Sequence, residues 1–136
     1  NRDWIRQESH DPDTYRMVQR MIASIFTPEN KPWPDALFVL NDGLALPALT
    51  ILDGMGIRVP EDVALIGMGD MPGTEHPLIG LSTVREPLRE MGRQSAEVIM
   101  ELIQHPEREP VIRWIEDGRL CVRRTTMAAQ EVFNIK

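Results

Sequence analysis

The stretch V-P-E-D-V-A-L-I-G-M-G-D, Val59 to Asp70, constrains the fold more than any other part of the chain. A proline and two acids close a turn. Val63 to Gly67 then run without a polar member, and Gly67, Gly69 and Asp70 end the run. A short run rich in Val, Leu and Ile, bounded by turn residues, reads as a strand buried on both faces. Open α/β sheets place ligands just past the carboxyl ends of such strands. Gly69 and Asp70 are therefore the first candidate contacts.

A second short apolar run, Ala36 to Leu40, reads as a second buried strand and ends in Asn41-Asp42-Gly43. Leu44 to Met55 then reads as a helix carrying Leu44, Leu49, Ile51 and Leu52, stopped by Gly54 and Gly56. Pro47 lies near its beginning, and a proline beyond the first turn removes a hydrogen bond, so the regular part is expected to start at or near Pro47. Strand, helix and strand form a βαβ unit with a right-handed crossover and parallel strands. The carboxyl ends of both strands then share one edge, which brings Asn41 and Asp42 beside Gly69 and Asp70. Asn41 and Asp42 can bind a ligand there, or can simply cap the helix that follows. Asp70 has the same two readings, because Asp-Met-Pro-Gly is also a good turn sequence.

The remaining elements are arranged around this unit. Asp3 to Arg6 reads as a short edge strand, and Asp11-Pro12 as the start of an amphipathic helix, Pro12 to Phe26, with Asp11 as N-cap. Prolines make loops of Thr27 to Pro34 and Met71 to Gly80, and Leu81 to Arg85 is a third strand. Glu86-Pro87 opens a long helix to Gln104 with Leu88, Met91, Val98, Ile99, Leu102 and Ile103 on one broad face. Val111 to Ile115 and Leu120 to Arg124 read as a hairpin around Asp117-Gly118, and the tail from Thr125 is expected to fray. The fold class is α/β, a three-layer sandwich on a mostly parallel sheet.

Charge and motif content narrow the chemistry. Within 136 residues, a formal charge of -6 argues against this chain gripping nucleic acid by itself, since phosphate neutralisation needs a basic face. No stretch is long and apolar enough to span a bilayer. Asn1-Arg2-Asp3-Trp4 has no signal-peptide character, and without an initiator methionine the chain is expected to be cut from a longer, cytoplasmic protein. The lone Cys121 suits a reducing compartment and reads as a small strand hydrophobe rather than a nucleophile. His10, His76 and His105 share no metal-ligand spacing, so neither a metal nor a cofactor is expected. Gly80-Leu81-Ser82-Thr83-Val84 fails the nucleophile-elbow pattern at its last position and precedes a strand. No catalytic set is apparent. Arg123-Arg124 reads as a solvated strand end.

Four segments in register carry a resemblance. P-D-A-L-F-V-L-N-D-G-L-A-L (Pro34 to Leu46), G-I-R-V-P-E-D-V-A-L-I-G (Gly56 to Gly67), L-S-T-V-R-E-P with M-G-R-Q-S-A-E (Leu81 to Glu97), and L-C-V-R-R-T-T (Leu120 to Thr126) resemble the effector domain of lactose/galactose-repressor-type transcription regulators. The resemblance implies two α/β lobes like those of periplasmic sugar-binding proteins, a small molecule between them, a DNA-binding headpiece and a dimer. Residues 1–136 would form part of that effector domain, its C-terminal lobe. The stretch 87–110 would pack on the N-terminal lobe, and operator DNA would be bound only by a headpiece outside this chain. The implied ligand is a sugar or sugar acid, with Asn41, Gly69, Asp70 and Leu88 at ligand-contacting positions. Gly69 departs from the aspartate that many members carry there. Some relatives share the glycine-aspartate form, which leaves an acidic or atypical sugar open. A periplasmic transport-binding protein is the alternative with the same lobes.

Long-helix burial has two expected solutions. The apolar stripe of Leu88 to Gln104 either folds back on its own sheet or meets another copy of the chain, and association as a twofold dimer is the expected outcome.

Overall fold

The computed structural model describes residues 13–109 and 111–126. It contains three helices, α1 (Thr14–Ile25), α2 (Asp42–Gly54) and α3 (Leu88–Gln104), and a sheet of β1 (Ala36–Phe38), β2 (Ala64–Met68), β3 (Ser82–Arg85) and β4 (Arg119–Cys121). The strand order is β1-β2-β3-β4. β1 and β2 are parallel, as are β2 and β3, and β4 runs antiparallel to β3. The expected α/β class with an open, mostly parallel sheet is present. The edge strand and Asp11 cap expected near the N-terminus lie outside the described residues.

The core forms where α1 and α2 pack together over one sheet face. Val18, Ile22, Ile25 and Phe26 come from α1 and its end, and Ala45, Ala48, Ile51 and Leu52 from α2. Leu65 and Leu81 complete the cluster from the sheet side, with Val63 just before β2. A fully buried side chain of this size contributes about 1.5–3 kcal/mol, so this seam is the main source of cohesion. Strand burial is one-sided. In β2, Leu65 and Gly67 are buried while Ala64, Ile66 and Met68 are half-buried; in β1, Ala36 and Phe38 are exposed. The reading of both runs as strands buried on two faces is corrected to one buried face among the described residues.

Helix α2 begins earlier than expected. Asn41 accepts a 2.7 Å hydrogen bond from Gly43 N, and Leu44 N and Ala45 N both donate to Asn41 O. This cap fixes the first turn from Asp42, upstream of Pro47, and Pro47 is tolerated inside the helix. The loss is one ladder bond in a helix anchored at its start. Helix α1 is capped by Asp13, whose carboxylate accepts from Arg16 N at 3.1 Å.

The hairpin is a second correction. Residues 111–118 form no strand, and β4 pairs with β3 through Thr83↔Cys121, Val84↔Leu120 and Arg85↔Arg119. Asp117-Gly118 is a local signal, but it cannot make a hairpin without a first strand. Arg113 instead bonds Glu97 and Glu101, holding this segment along α3. Of the tail expected to fray, only Thr125 and Thr126 lie among the described residues, and there the expectation is corrected. Thr125 is fully buried, its hydroxyl donating to Leu65 O at 2.7 Å and accepting from Ser82 N at 2.8 Å. It joins β2 and β3 just before their pairing begins.

Asp42 is a deeper anchor. Its side chain is fully buried, accepting from Met71 N at 2.9 Å and from the Thr83 hydroxyl at 2.8 Å. Thr83→Val should destabilise the chain by about 1–3 kcal/mol, the cost of leaving a buried acceptor short of its donor. Thr83→Ser should recover most of that loss, and urea unfolding midpoints measure both.

Candidate functional site

The carboxyl ends of β1, β2 and β3 meet at one edge, and three of the four sequence candidates are placed there. Asn41 lies at the start of α2, exposed, its Oδ1 engaged in the cap. The capping reading is thus realised at Asn41. Asp42, weighed with it, is turned inward and holds the loop after β2. Gly69 follows β2 with φ +123, a conformation that L side chains rarely adopt, and its N–H donates to Val84 O at 2.9 Å. A Cβ there would lie 3.8 Å from Asp42 Oδ2, 3.9 Å from Met71 Cγ and 4.0 Å from Glu86 Oε2. The backbone of Gly69 is thus flanked by two carboxylates. Leu88 opens α3 directly after the Glu86-Pro87 turn and is 59% exposed.

Asp70 is the most constrained of the set. It has φ 51, a left-handed conformation that aspartate tolerates better than most residues. Arg123 donates to Asp70 Oδ1 and Arg85 Nε to Asp70 Oδ2, both at 2.6 Å, and Thr74 Oγ1 lies 3.5 Å from Oδ1. Burial pushes the Asp70 carboxyl upward, but the Arg123 and Arg85 guanidiniums outweigh it and hold the group below its ordinary value. Both oxygens are therefore already engaged by cations.

Arg123 corrects another expectation. Its side chain is only 17% exposed and also donates to Leu81 O at 2.8 Å and Thr74 Oγ1 at 3.1 Å. It is not a solvated strand end; it reaches from beyond β4 into the edge because Asp70 curls toward it. Arg124 is exposed and bonds Leu78 O and Ile79 O. Sequence reasoning missed Thr83, Arg85 and Arg123. The alternation of Thr83 and Arg85 along one strand was the signal for two of them, since both side chains leave the same sheet face.

A cavity of about 470 Å³ lies away from this edge, lined by Leu46, Leu49, Ile57, Leu78 and Arg124 among others. Leu78 and Ile79 precede β3 and Val59 precedes β2, so it opens at the amino ends of the strands. Its cation, Arg124, already donates to backbone carbonyls. Among the described residues no group of three or more His, Cys, Asp or Glu is arranged to hold a metal, and no helix is long and apolar enough to cross a membrane.

Residues 2–126 match the family described as a periplasmic binding protein-like domain. The chain belongs to that family. This periplasmic-binding-protein-like chain is 31% identical over 112 residues to the HTH-type transcriptional repressor PurR of Vibrio vulnificus (strain CMCP6), an alignment covering 80% of the chain and 31% of the repressor. The transcriptional regulator CelR, solved as a cellobiose complex, superposes with a TM-score of 0.69 at 31% identity, covering 86% of the chain and 35% of CelR. A LacI family transcriptional regulator from Arthrobacter sp. FB24, solved with lactose, gives 0.63 at 32% identity, covering 84% and 42%. The chain spans about a third of the length of the curated relatives it matches. These relatives are transcriptional repressors and regulators, not enzymes.

The Asp70 pairing has a pH signature. A carboxyl depressed in the folded state contributes stability that is present above its unfolded value, near about 3.9, and lost as pH falls through its folded value. Arg123→Met should cost about 1–3 kcal/mol at neutral pH, the scale of a hydrogen bond to a charged group. The cost should shrink as pH falls below the ordinary carboxylate range and Asp70 protonates. Urea midpoints across that range provide the check, and an equal loss at every pH would contradict it.

Proposed function

We propose that this chain is part of the effector-sensing domain of a transcription regulator, binding a sugar or sugar derivative at the carboxyl edge of β1, β2 and β3 without chemistry. The observation that carries the reading is the convergence of Asn41, Gly69 and Asp70 on one sheet edge, in a chain of this family and with no catalytic set beside them. Asn41 keeps its Nδ2 available after capping, Gly69 offers close backbone approach, and Leu88 supplies an apolar surface at the rim. Relatives that are repressors and regulators favour this over a transport-binding protein.

In the whole protein, a second lobe closes over the edge and covers α3 along 87–110. A headpiece outside this chain contacts operator DNA, the regulator is a cytoplasmic homodimer, and effector binding shifts the balance between lobe arrangements. A ligand shifts such a balance only by its difference in affinity for the two states.

Full-length regulator screened by thermal shift against monosaccharides, disaccharides and sugar acids should be stabilised by at least one of them. A ligand at a hundred times its Kd stabilises by about 2.7 kcal/mol. Asn41→Ala should weaken that ligand by about 1–3 kcal/mol, the cost of a lost buried hydrogen bond, with little change in unliganded stability beyond the cap. No stabilisation by any member of the panel would sink the reading.

A further inference from the structure

The two connections that carry α3 are tied to one carboxylate. Arg85 is the last residue of β3 and Leu88 the first of α3. The chain returns through β4, which runs beside β3 with Arg119 opposite Arg85. Helix α3 buries no residue, and residues 111–118 form no strand and are held along it by Arg113. Its direction therefore depends on what fixes the ends of these two strands. Asp70 binds a residue on each connection: Oδ2 accepts from Arg85 Nε and Oδ1 from Arg123, both at 2.6 Å.

The Asp70 carboxylate is itself a fixed point. Successive amides of its loop are each held, Gly69 N by Val84 O at 2.9 Å, Asp70 N by Thr83 Oγ1 at 3.3 Å and Met71 N by Asp42 Oδ2 at 2.9 Å. Gly69 at φ +123 and Asp70 at φ 51 place two positive-φ residues in a row, and the side chain turns back toward β3 and β4. The two guanidiniums it meets are unlike. Arg123 is 17% exposed and also bonds Thr74 and Leu81, whereas Arg85 is 54% exposed. The Arg123 bond is a sheltered anchor. The Arg85 bond is open to water and adds little net stability, so losing it loosens the root of α3 without unfolding the sheet.

We propose that Asp70 is a clasp rather than a ligand contact: anchored by Arg123, it holds Arg85 and so sets the angle at which α3 leaves the sheet, the joint on which a second lobe would move. This rests on reading the chain as part of a two-lobed sensor, and it reassigns Asp70 within that reading. A ligand hydroxyl approaching the Asp70 carboxylate must compete with a guanidinium on either oxygen. Direct contacts then fall to Asn41 and the Gly69 backbone, while Asp70 is a positioning residue that governs how the lobes stand.

The test is the distance between spin labels at Ala23→Cys on α1 and Gln104→Cys at the end of α3, both exposed positions. It is measured by double electron–electron resonance in the full-length regulator, with native cysteines replaced by serine and labelled protein diluted into unlabelled. At about 1.5 Å per residue the 17-residue helix is a lever of about 25 Å, so a tilt of about 10° at its root moves Gln104 by about 4 Å. The unsubstituted clasp should give one narrow distance. Asp70→Asn and Arg85→Gln should each broaden or displace it by about 4 Å, on the same lever. A control pair within the body, Ala23→Cys with Glu61→Cys, should not change. Arg85→Lys should restore much of the narrow distribution, which a general loss of packing would not allow. Arg85→Gln leaves the Arg123 bond in place, so it decides the question even where Asp70→Asn fails to fold. An unaltered Ala23–Gln104 distance in Arg85→Gln would overturn the proposal and leave the effector-site reading intact. A response to Arg85→Gln in a protein that no sugar of the panel stabilises would uphold the clasp and count against the effector-site reading alone.

Discussion

The buried carboxylate of Asp42 is the contact on which the geometry of the edge depends. A charge taken out of water costs several kcal/mol unless fixed donors replace the lost hydration. Here the donors are the Met71 amide and the Thr83 hydroxyl, and the first turn of α2 adds its own favourable dipole. Those partners belong to the loop after β2 and to β3, while Asp42 belongs to the helix after β1. A single side chain thus sets the mutual position of three strand ends. Gly67 makes it possible, since a Cβ there would collide with the Asp42 carboxylate and press on Leu81. The helix cap at Asn41 and the strut at Asp42 are consecutive residues with separate duties, one facing solvent and one facing the sheet.

A second charged network links the far end of the chain to the same edge. Asp70 lies between Arg85 on β3 and Arg123 beyond β4, and Thr125 bonds the backbone at the opposite end of the sheet. The C-terminal segment is consequently structural at both edges. The sheltered Asp70–Arg123 pair is stronger than the exposed pairs along α3. Those exposed pairs, Arg93 with Glu90 and Glu97 and Arg113 with Glu97 and Glu101, hold local geometry without burying anything.

Helix α3 buries no residue. Leu88, Met91, Ile99, Leu102 and Ile103 are all exposed, so of the two expected solutions the fold does not bring this stripe onto its own sheet. Phe38 and Leu40 are also exposed on the uncovered side of β1 and just after it. Contiguous apolar surface of this kind marks an interaction face in a soluble protein. It agrees with the proposal that a larger sensor, with a second lobe over α3, surrounds the segment.

The local pattern of the sequence was enough to determine the parallel strands, their helices and the convergence of Asn41, Gly69 and Asp70. Apolar runs bounded by glycine and proline define strands, and the handedness of a βαβ crossover then aligns their carboxyl ends. Element boundaries moved by a residue or two, and α2 started upstream of Pro47 because the Asn41 cap and the Asp42 anchor outweigh one missing ladder bond. Tertiary structure alone decided what the polar residues do. The same Asn-Asp pair could cap or bind from sequence, and only the position of Thr83 and Met71 turned Asp42 inward. Likewise Arg123 read as a surface residue because nothing local announces a partner so distant in the chain. The hairpin at Asp117-Gly118 failed for the converse reason: a turn signal is local, whereas a strand needs a free neighbouring edge, and β4 found that edge on β3.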